Sequence, residues 1–141
     1  MRLTRGSDYG LRGMIYLASQ PADKVSLIHE IAQSQEIPDN YLAKIFQDLA
    51  KNGLIRSHRG RKGGFALARP ADEITLRQAI EAIQGPLALN DCLDPRQRCE
   101  LAGKCCLHQA LREAQNKLFQ VLDGITLRDL VQAADVHQKL E

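Results

Sequence analysis

The chain has 141 residues, 44% of them hydrophobic and 26% charged, with a net charge of +2, no Trp and four cysteines. Such a composition fits one domain, or a small domain with an appendage, and an aliphatic core that forms without disulfide staples. It holds no run of 18 apolar residues, so no transmembrane span is expected. The opening MRLTRGSDYG has no cleavage pattern behind it, so the expectation is a cytoplasmic protein with no membrane partner, where disulfides rarely persist.

The charge is unevenly spread. Residues 1–70 carry 11 Lys/Arg against 6 Asp/Glu, a balance of +5, and residues 71–141 carry 8 against 11, a balance of −3. No acidic residue stands between Asp48 and Asp72, where Lys51, Arg56, Arg59, Arg61, Lys62 and Arg69 are found. A basic first half suits a polyanionic partner, and an ordinary solvated face is the competing reading.

In chain order, the apolar spacing of Leu11, Met14, Ile15 and Ala18 predicts a helix over 7–19, with Ser7 as its N-cap and Pro21 beyond its end. A second helix is expected after Ser26, carrying Leu27, Ile28, Ile31 and Ala32. SQEIPDN reads as a turn, and Pro38 suits the first position of a third helix that buries Leu42, Ile45, Phe46 and Leu49. Asn52-Gly53 should stop it with a left-handed cap. The period then changes. LIRSH and GFALA are strand-length alternating runs around a Gly-rich basic tip, RGRKGG, which predicts a β-hairpin. A fourth helix starts at Thr75, where TLRQ forms a capping box with Gln78, and Gly85-Pro86 ends it.

A loop follows that contains every cysteine, because Asp94-Pro95 and Gly103 oppose regular structure. Behind it Leu107, Leu111, Ala114, Leu118, Val121 and Ile125 recur at spacings of 4 and 3. This heptad seam fits a helix packed on its twin in a homodimer better than one packed only within its own chain. TLRD at 126–129 should cap a last short helix. ITLR occurs twice, at 74–77 and 125–128, which reads as repeated capping chemistry and not as a repeat architecture.

Helix, helix, turn, helix, hairpin is the order of a winged helix-turn-helix. The expected fold is mainly α with one small β-hairpin: a DNA-binding domain over 1–84, a cysteine loop over 85–106, and a long dimerisation helix with a short C-terminal helix over 107–141. Asn40, Ala43, Lys44 and Gln47 share one face of the third helix. Asn40 and Gln47 can pair bidentately with adenine, and Lys44 can reach guanine or phosphate. Arg59, Arg61 and Lys62 at the glycine-lined tip suit a minor groove and its phosphates. Helix and wing together predict double-stranded operator DNA as the partner. No catalytic constellation is visible, and His29-Glu30 on the second helix reads as surface, with His29 at most an accessory ligand.

The cysteines are spaced Cys92-x6-Cys99-x5-Cys105, with Cys106 adjacent. The paired C-x2-C knuckles of structural zinc are missing, and long spacers in one loop can wrap an iron–sulfur cluster. Arg96, Arg98 and Lys104 could offset thiolate charge. Cluster, zinc site and thiol redox switch all stay open on spacing alone, with the cluster first.

MRLTRGSDYGLR, NYLAKIFQDLAKNGLI, RGRKGGFALARP, the cysteine loop, and ALREA with LDGITLRDLV behind it resemble the bacterial iron–sulfur regulators of the IscR, NsrR and RirA type, over residues 1 to about 131. The resemblance implies a dimeric winged-helix transcription factor, commonly a repressor, that is not an enzyme. Its operator binding would follow iron, cluster supply, oxidants or nitric oxide. It implies Cys92, Cys99 and Cys105 as ligands of a cluster, [4Fe–4S] before [2Fe–2S].

The fourth ligand divides the family's types. Cys105 and His108 have the IscR-type spacing, but Gln109 stands where the histidine should directly precede Ala110. SDYGLR resembles the NsrR type, in which an aspartate ligates from the partner chain, and that implies Asp8. Cys106 is then a spare thiol or an alternative ligand. The competing function is a cluster-free DNA-binding regulator that senses by thiol oxidation.

Overall fold

The computed structural model describes residues 1–140. Its elements are α1 (Arg5–Ser19), α2 (Ile28–Gln35), α3 (Asp39–Lys51), β1 (Ile55–His58), β2 (Gly64–Leu67), α4 (Leu76–Gln84), α5 (Cys106–Asp123) and α6 (Leu127–Leu140). Short 3-10 turns occupy Ala71–Glu73 and Asp91–Leu93. This is the helical, single-hairpin architecture that the sequence predicts.

Several ends follow local chemistry. Pro38 is the N-cap of α3, one position ahead of the first helical place expected for it, and Gly53 behind Asn52 takes the left-handed conformation at φ 73° as expected. Thr75 and Gln78 form the expected capping box on α4. α1 differs. It starts two residues earlier than expected, because Thr4 and not Ser7 is its N-cap and accepts a hydrogen bond from the Ser7 N–H. Ser7 lies inside the helix, fully buried, and its hydroxyl donates to Gln84 Oε1 of α4 at 2.5 Å. α2 also starts later than its apolar run, since Leu27 is its N-cap and is exposed.

The two strands pair antiparallel, with Arg56 opposite Ala66 and His58 opposite Gly64. Ser26, ahead of α2, adds an isolated bridge to Phe65 through hydrogen bonds of 2.9 and 2.8 Å. Gly64 permits this approach. Its φ is 148°, and a Cβ there would lie 2.3 Å from the Ser26 carbonyl oxygen.

One apolar cluster holds these elements. Met14, Ile31, Leu42, Phe46, Leu49, Ile74 and Ile80 are its most enclosed members from the first four helices and their connections. Each such burial contributes about 1.5–3 kcal/mol. α6 belongs to the same cluster through the fully buried Leu127 and through Val131. It is also a 14-residue helix and not a short one. The two ITLR segments explain its position. Thr75 and Thr126 form an antiparallel bridge, with Leu76 N–H donating to Ile125 O at 2.8 Å and Leu127 N–H to Ile74 O at 3.0 Å. Repeated capping chemistry thus starts two helices from adjoining points.

α5 lies against α4 and the Asp91–Leu93 turn. Arg77 of α4 stacks over Phe119 at 3.7 Å and pairs with Asp123 at 3.1 Å. With 18 residues α5 is about 27 Å long, twice the length of the nine-residue α4, so its first half overhangs the core.

Candidate DNA-reading face and cysteine loop

The candidate reading face is α3 and the wing. Asn40, Lys44 and Gln47 are all exposed on α3, with the half-buried Ala43 between them. Arg59, Arg61 and Lys62 are exposed at the tip joining β1 to β2. Among the described residues neither Lys44 nor any of these three cations forms an ion pair with a carboxylate. They are held by a helix and a two-stranded ribbon, both anchored in the core, with their charge available to phosphate.

Two neighbours of this face make contacts that the sequence does not disclose. Tyr41 is 44% exposed and meets Tyr9 edge-on at 5.5 Å. Asp39, at the head of α3, binds His29 Nδ1 of α2 at 2.7 Å. His29 is therefore a bracket between α2 and α3, which accounts for it without any role as an accessory ligand.

The cysteine loop is pinned at both ends. Where it leaves α4, Leu89 N–H donates to Oε1 of the buried Gln115 on α5 at 2.8 Å. Gln84 closes the same end, accepting from Thr4 N–H at 3.1 Å and donating to Arg2 O at 3.2 Å. Within the loop, Arg96 grips the buried Asp94 through two side-chain hydrogen bonds of 2.8 and 2.6 Å. That guanidinium, with the Arg96 backbone N–H, holds the Asp94 carboxyl down to about 2. Arg96, expected to offset thiolate charge, is thus engaged by a carboxylate instead.

All four cysteines are free thiols. Cys92, Cys99 and Cys105 are half-buried, and Cys106 is exposed as the first residue of α5. Cys92 Sγ accepts from Asn90 Nδ2 at 3.3 Å. Cys105 Sγ accepts from His108 N–H at 3.4 Å and so caps α5, at the positive end of its dipole. His108 is buried at 7% exposure, and its Nδ1 has no hydrogen-bond partner. An unpaired buried ring nitrogen costs about 1–3 kcal/mol. Asp8 is placed otherwise, on the first turn of α1, with its side chain 61% exposed and Arg12 Nη1 at 3.6 Å.

Three free cysteine thiols, a nitrogen without a partner and an accessible carboxylate form a donor set whose chemistry fits an iron–sulfur cluster. Its thiols and His108 lie in one stretch of sequence and Asp8 lies far from them on α1, and the set is not drawn together: among the described residues no three His, Cys, Asp or Glu side chains converge on one point where a metal ion would sit.

The seam on α5 is also resolved. His108, Gln115, Phe119 and Leu122 form its inner side, with Phe119 and Leu122 against the core. Leu107, Leu111, Ala114, Leu118, Val121 and Ile125 are none of them buried, and Leu107 and Val121 are each 60% exposed. Leu111, Leu118 and Ile125 are half-buried and Ile125 lies past the end of α5, so intrachain packing accounts for only part of the heptad. No helix among the described residues is long and apolar enough to cross a membrane.

Comparison with known proteins agrees with these features. A curated relative, the HTH-type transcriptional regulator NsrR of Halalkalibacterium halodurans, is 37% identical over 141 residues, 99% of this chain and 97% of its own. Protein aau3 of Rhizobium meliloti is 40% identical over 134 residues, 94% of this chain and 86% of its own. Among solved structures, the global cysteine regulator CymR of B. subtilis superposes with a TM-score of 0.74 at 28% identity, over 94% of this chain and 98% of that one. T. potens IscR superposes with a TM-score of 0.77 at 25% identity, over 98% of this chain and 91% of that one. The Rrf2 family model, described as an iron-dependent transcriptional regulator, matches residues 3–133. Reading helix, wing and cysteine loop all fall within that span, and the chain belongs to the Rrf2 family: it is a transcriptional regulator and not an enzyme.

Proposed function

We propose that the chain acts as a homodimer whose binding to operator DNA is set by an iron–sulfur cluster held on Cys92, Cys99 and Cys105. The observation that carries this reading is the loop itself. It presents three half-buried free thiols and the unpaired His108 Nδ1 between two pinned ends. When bound, a cluster of the [4Fe–4S] or [2Fe–2S] type would supply a redox-labile, iron-dependent cross-link, with [4Fe–4S] preferred. The chain's own residues do the rest. Gln115 fixes where the loop leaves the core, and Cys105 fixes where it enters α5. Asn40, Lys44 and Gln47 read bases, and Arg59, Arg61 and Lys62 hold phosphates. The seam of α5 joins two such readers, so that half-sites about one helical turn apart are met together. A change in loop geometry transmitted through α5 needs about 1–3 kcal/mol of coupling to act as a switch.

Asp8 and His108 are the two candidates for the one remaining ligand position, and they lie in different parts of the fold. His108 lies next to Cys105 in the same chain. Asp8 faces solvent, where a partner's loop could meet it. Reconstituted anaerobically, the protein should show visible charge-transfer absorption that is lost in Cys92→Ala, Cys99→Ala and Cys105→Ala. Either Asp8→Ala or His108→Ala should shift it, which assigns the fourth position. Retention of the spectrum in all three cysteine variants would refute the ligand set.

A second reading has support in Cys106, which is exposed and adjacent to Cys105, and in the likeness to a global cysteine regulator. On it, small oxidants act on the thiols directly and no cluster is held. Iron and sulfide analysis of anaerobically purified protein distinguishes the two.

A further inference from the structure

Away from the reading face, at the base of the wing, lies a cleft of about 510 Å³. Lys24, Arg56, Arg69 and Arg128 line it, and no acidic residue does. The four cations come from four separate parts of the fold: the connection after α1, strand β1, the segment after β2, and the first turn of α6. Its space is made by small side chains, since Ala18, Ala22, Ala66, Ala68 and Ala71 all face it, and Leu17 and Leu67 add apolar wall.

Partners within the chain neutralise only part of this charge. Lys24 is paired with Glu30 at 2.5 Å. Arg69 donates to the neutral Gln78 amide at 3.3 Å. Among the described residues, Arg56 and Arg128 take part in none of the ion pairs. Arg128 is also placed against local helix energetics, because a cation in the first turn opposes the positive end of the helix dipole. Helix stability therefore gives no reason for an arginine there, and the other guanidinium groups repel it. A bound anion removes both costs and gains charge-assisted hydrogen bonds from the planar guanidinium forks.

DNA is a poor occupant of this cleft. No residue of α3 and none of the tip residues Arg59, Arg61 and Lys62 lines it. Its volume falls within the range of small-molecule sites. We infer that the cleft binds a small, multiply charged anion, carboxylate or phosphate in character, through Arg56, Arg69 and Arg128. Such a ligand would tie α6 to the base of the wing.

Titration calorimetry of the full-length protein with citrate and with pyrophosphate, as carboxylate and phosphate probes, tests this. At least one probe should bind saturably, and Arg128→Gln and Arg56→Gln should each weaken it about tenfold or more. Binding of citrate alone, or pyrophosphate alone, supports the site and names its chemistry. Circular dichroism of both variants confirms folding, and either variant suffices if the other is unstable. The inference fails if neither probe binds, or if binding is indifferent to both substitutions. It also fails if the folded variants lose promoter affinity with no probe present, which would make these cations contacts to DNA phosphate.

Discussion

Gln115 shows how much one side chain can organise. It is buried on the inner side of α5, and its carbonyl oxygen accepts the Leu89 N–H where the cysteine loop begins. Replacing it with Leu keeps the volume but leaves that N–H without its partner, a cost of about 1–3 kcal/mol. Gln115→Leu should lower the urea midpoint accordingly, and faster amide exchange at Leu89 should accompany it. An unchanged Leu89 exchange rate would show that the loop is not held there. Asp129 is a second such point. Its carboxyl accepts from the Thr126 backbone N–H and hydroxyl, and these two bonds hold it below its ordinary value of 3.8. A carboxyl depressed in the folded state stabilises above its unfolded value and loses that contribution as pH falls through the folded one. The thermal midpoint of wild type should exceed that of Asp129→Asn above about pH 4, and the difference should shrink on acidification below it. A gap that widened in acid would overturn the assignment. Asp129 is legible in the sequence as the last residue of the TLRD capping motif, and Gln115 does not stand out as a site. Gln115 carries a weak signal: with His108, Phe119 and Leu122 it forms a second stripe on α5, spaced 7, 4 and 3.

Elements divide by how local their causes are. Caps and stops at Thr75, Pro38 and Gly53 were legible because their partners lie within a few residues. The start of α1 was not, because Thr4 and Ser7 are both good caps and the choice depends on Gln84, 77 residues from Ser7. The length of α6 was hidden as well. Leu127 and Val131 are its only buried positions among 127–139, and they give too short a period to read. The cysteine loop was legible as chemistry from residue type alone. Its pinning by Gln115, Gln84 and the Asp94–Arg96 clamp was not, since those interactions are tertiary or lie in irregular backbone. The reading helix and wing should separate in function. Asn40→Ala and Gln47→Ala should each cost about 1–3 kcal/mol on the specific operator and little on random DNA. Arg59→Ala, Arg61→Ala or Lys62→Ala should weaken both and reduce the salt slope by about 0.9 for each phosphate no longer neutralised. Filter binding across a salt series measures both. A wing variant with an unchanged slope would remove the wing from the interface.

At the scale of the molecule, the seam on α5 leaves apolar side chains in solvent, Leu107 and Val121 each 60% exposed. Leu118 and Val121 do not join the core, so charging them should leave the fold intact and break the dimer. Leu118→Lys with Val121→Lys should sediment as a folded monomer and lose cooperative operator binding. A dimer that survives the pair would place the interface elsewhere.

The bridge between Thr75 and Thr126 has a consequence for the family's versatility. It returns the chain to the core after the excursion through the cysteine loop and α5, so that α6 completes the same cluster as α1 to α4. The excursion is thus a cassette inserted into a frame that is closed behind it. Cysteine number and spacing can drift within the cassette while the frame that reads DNA keeps its core.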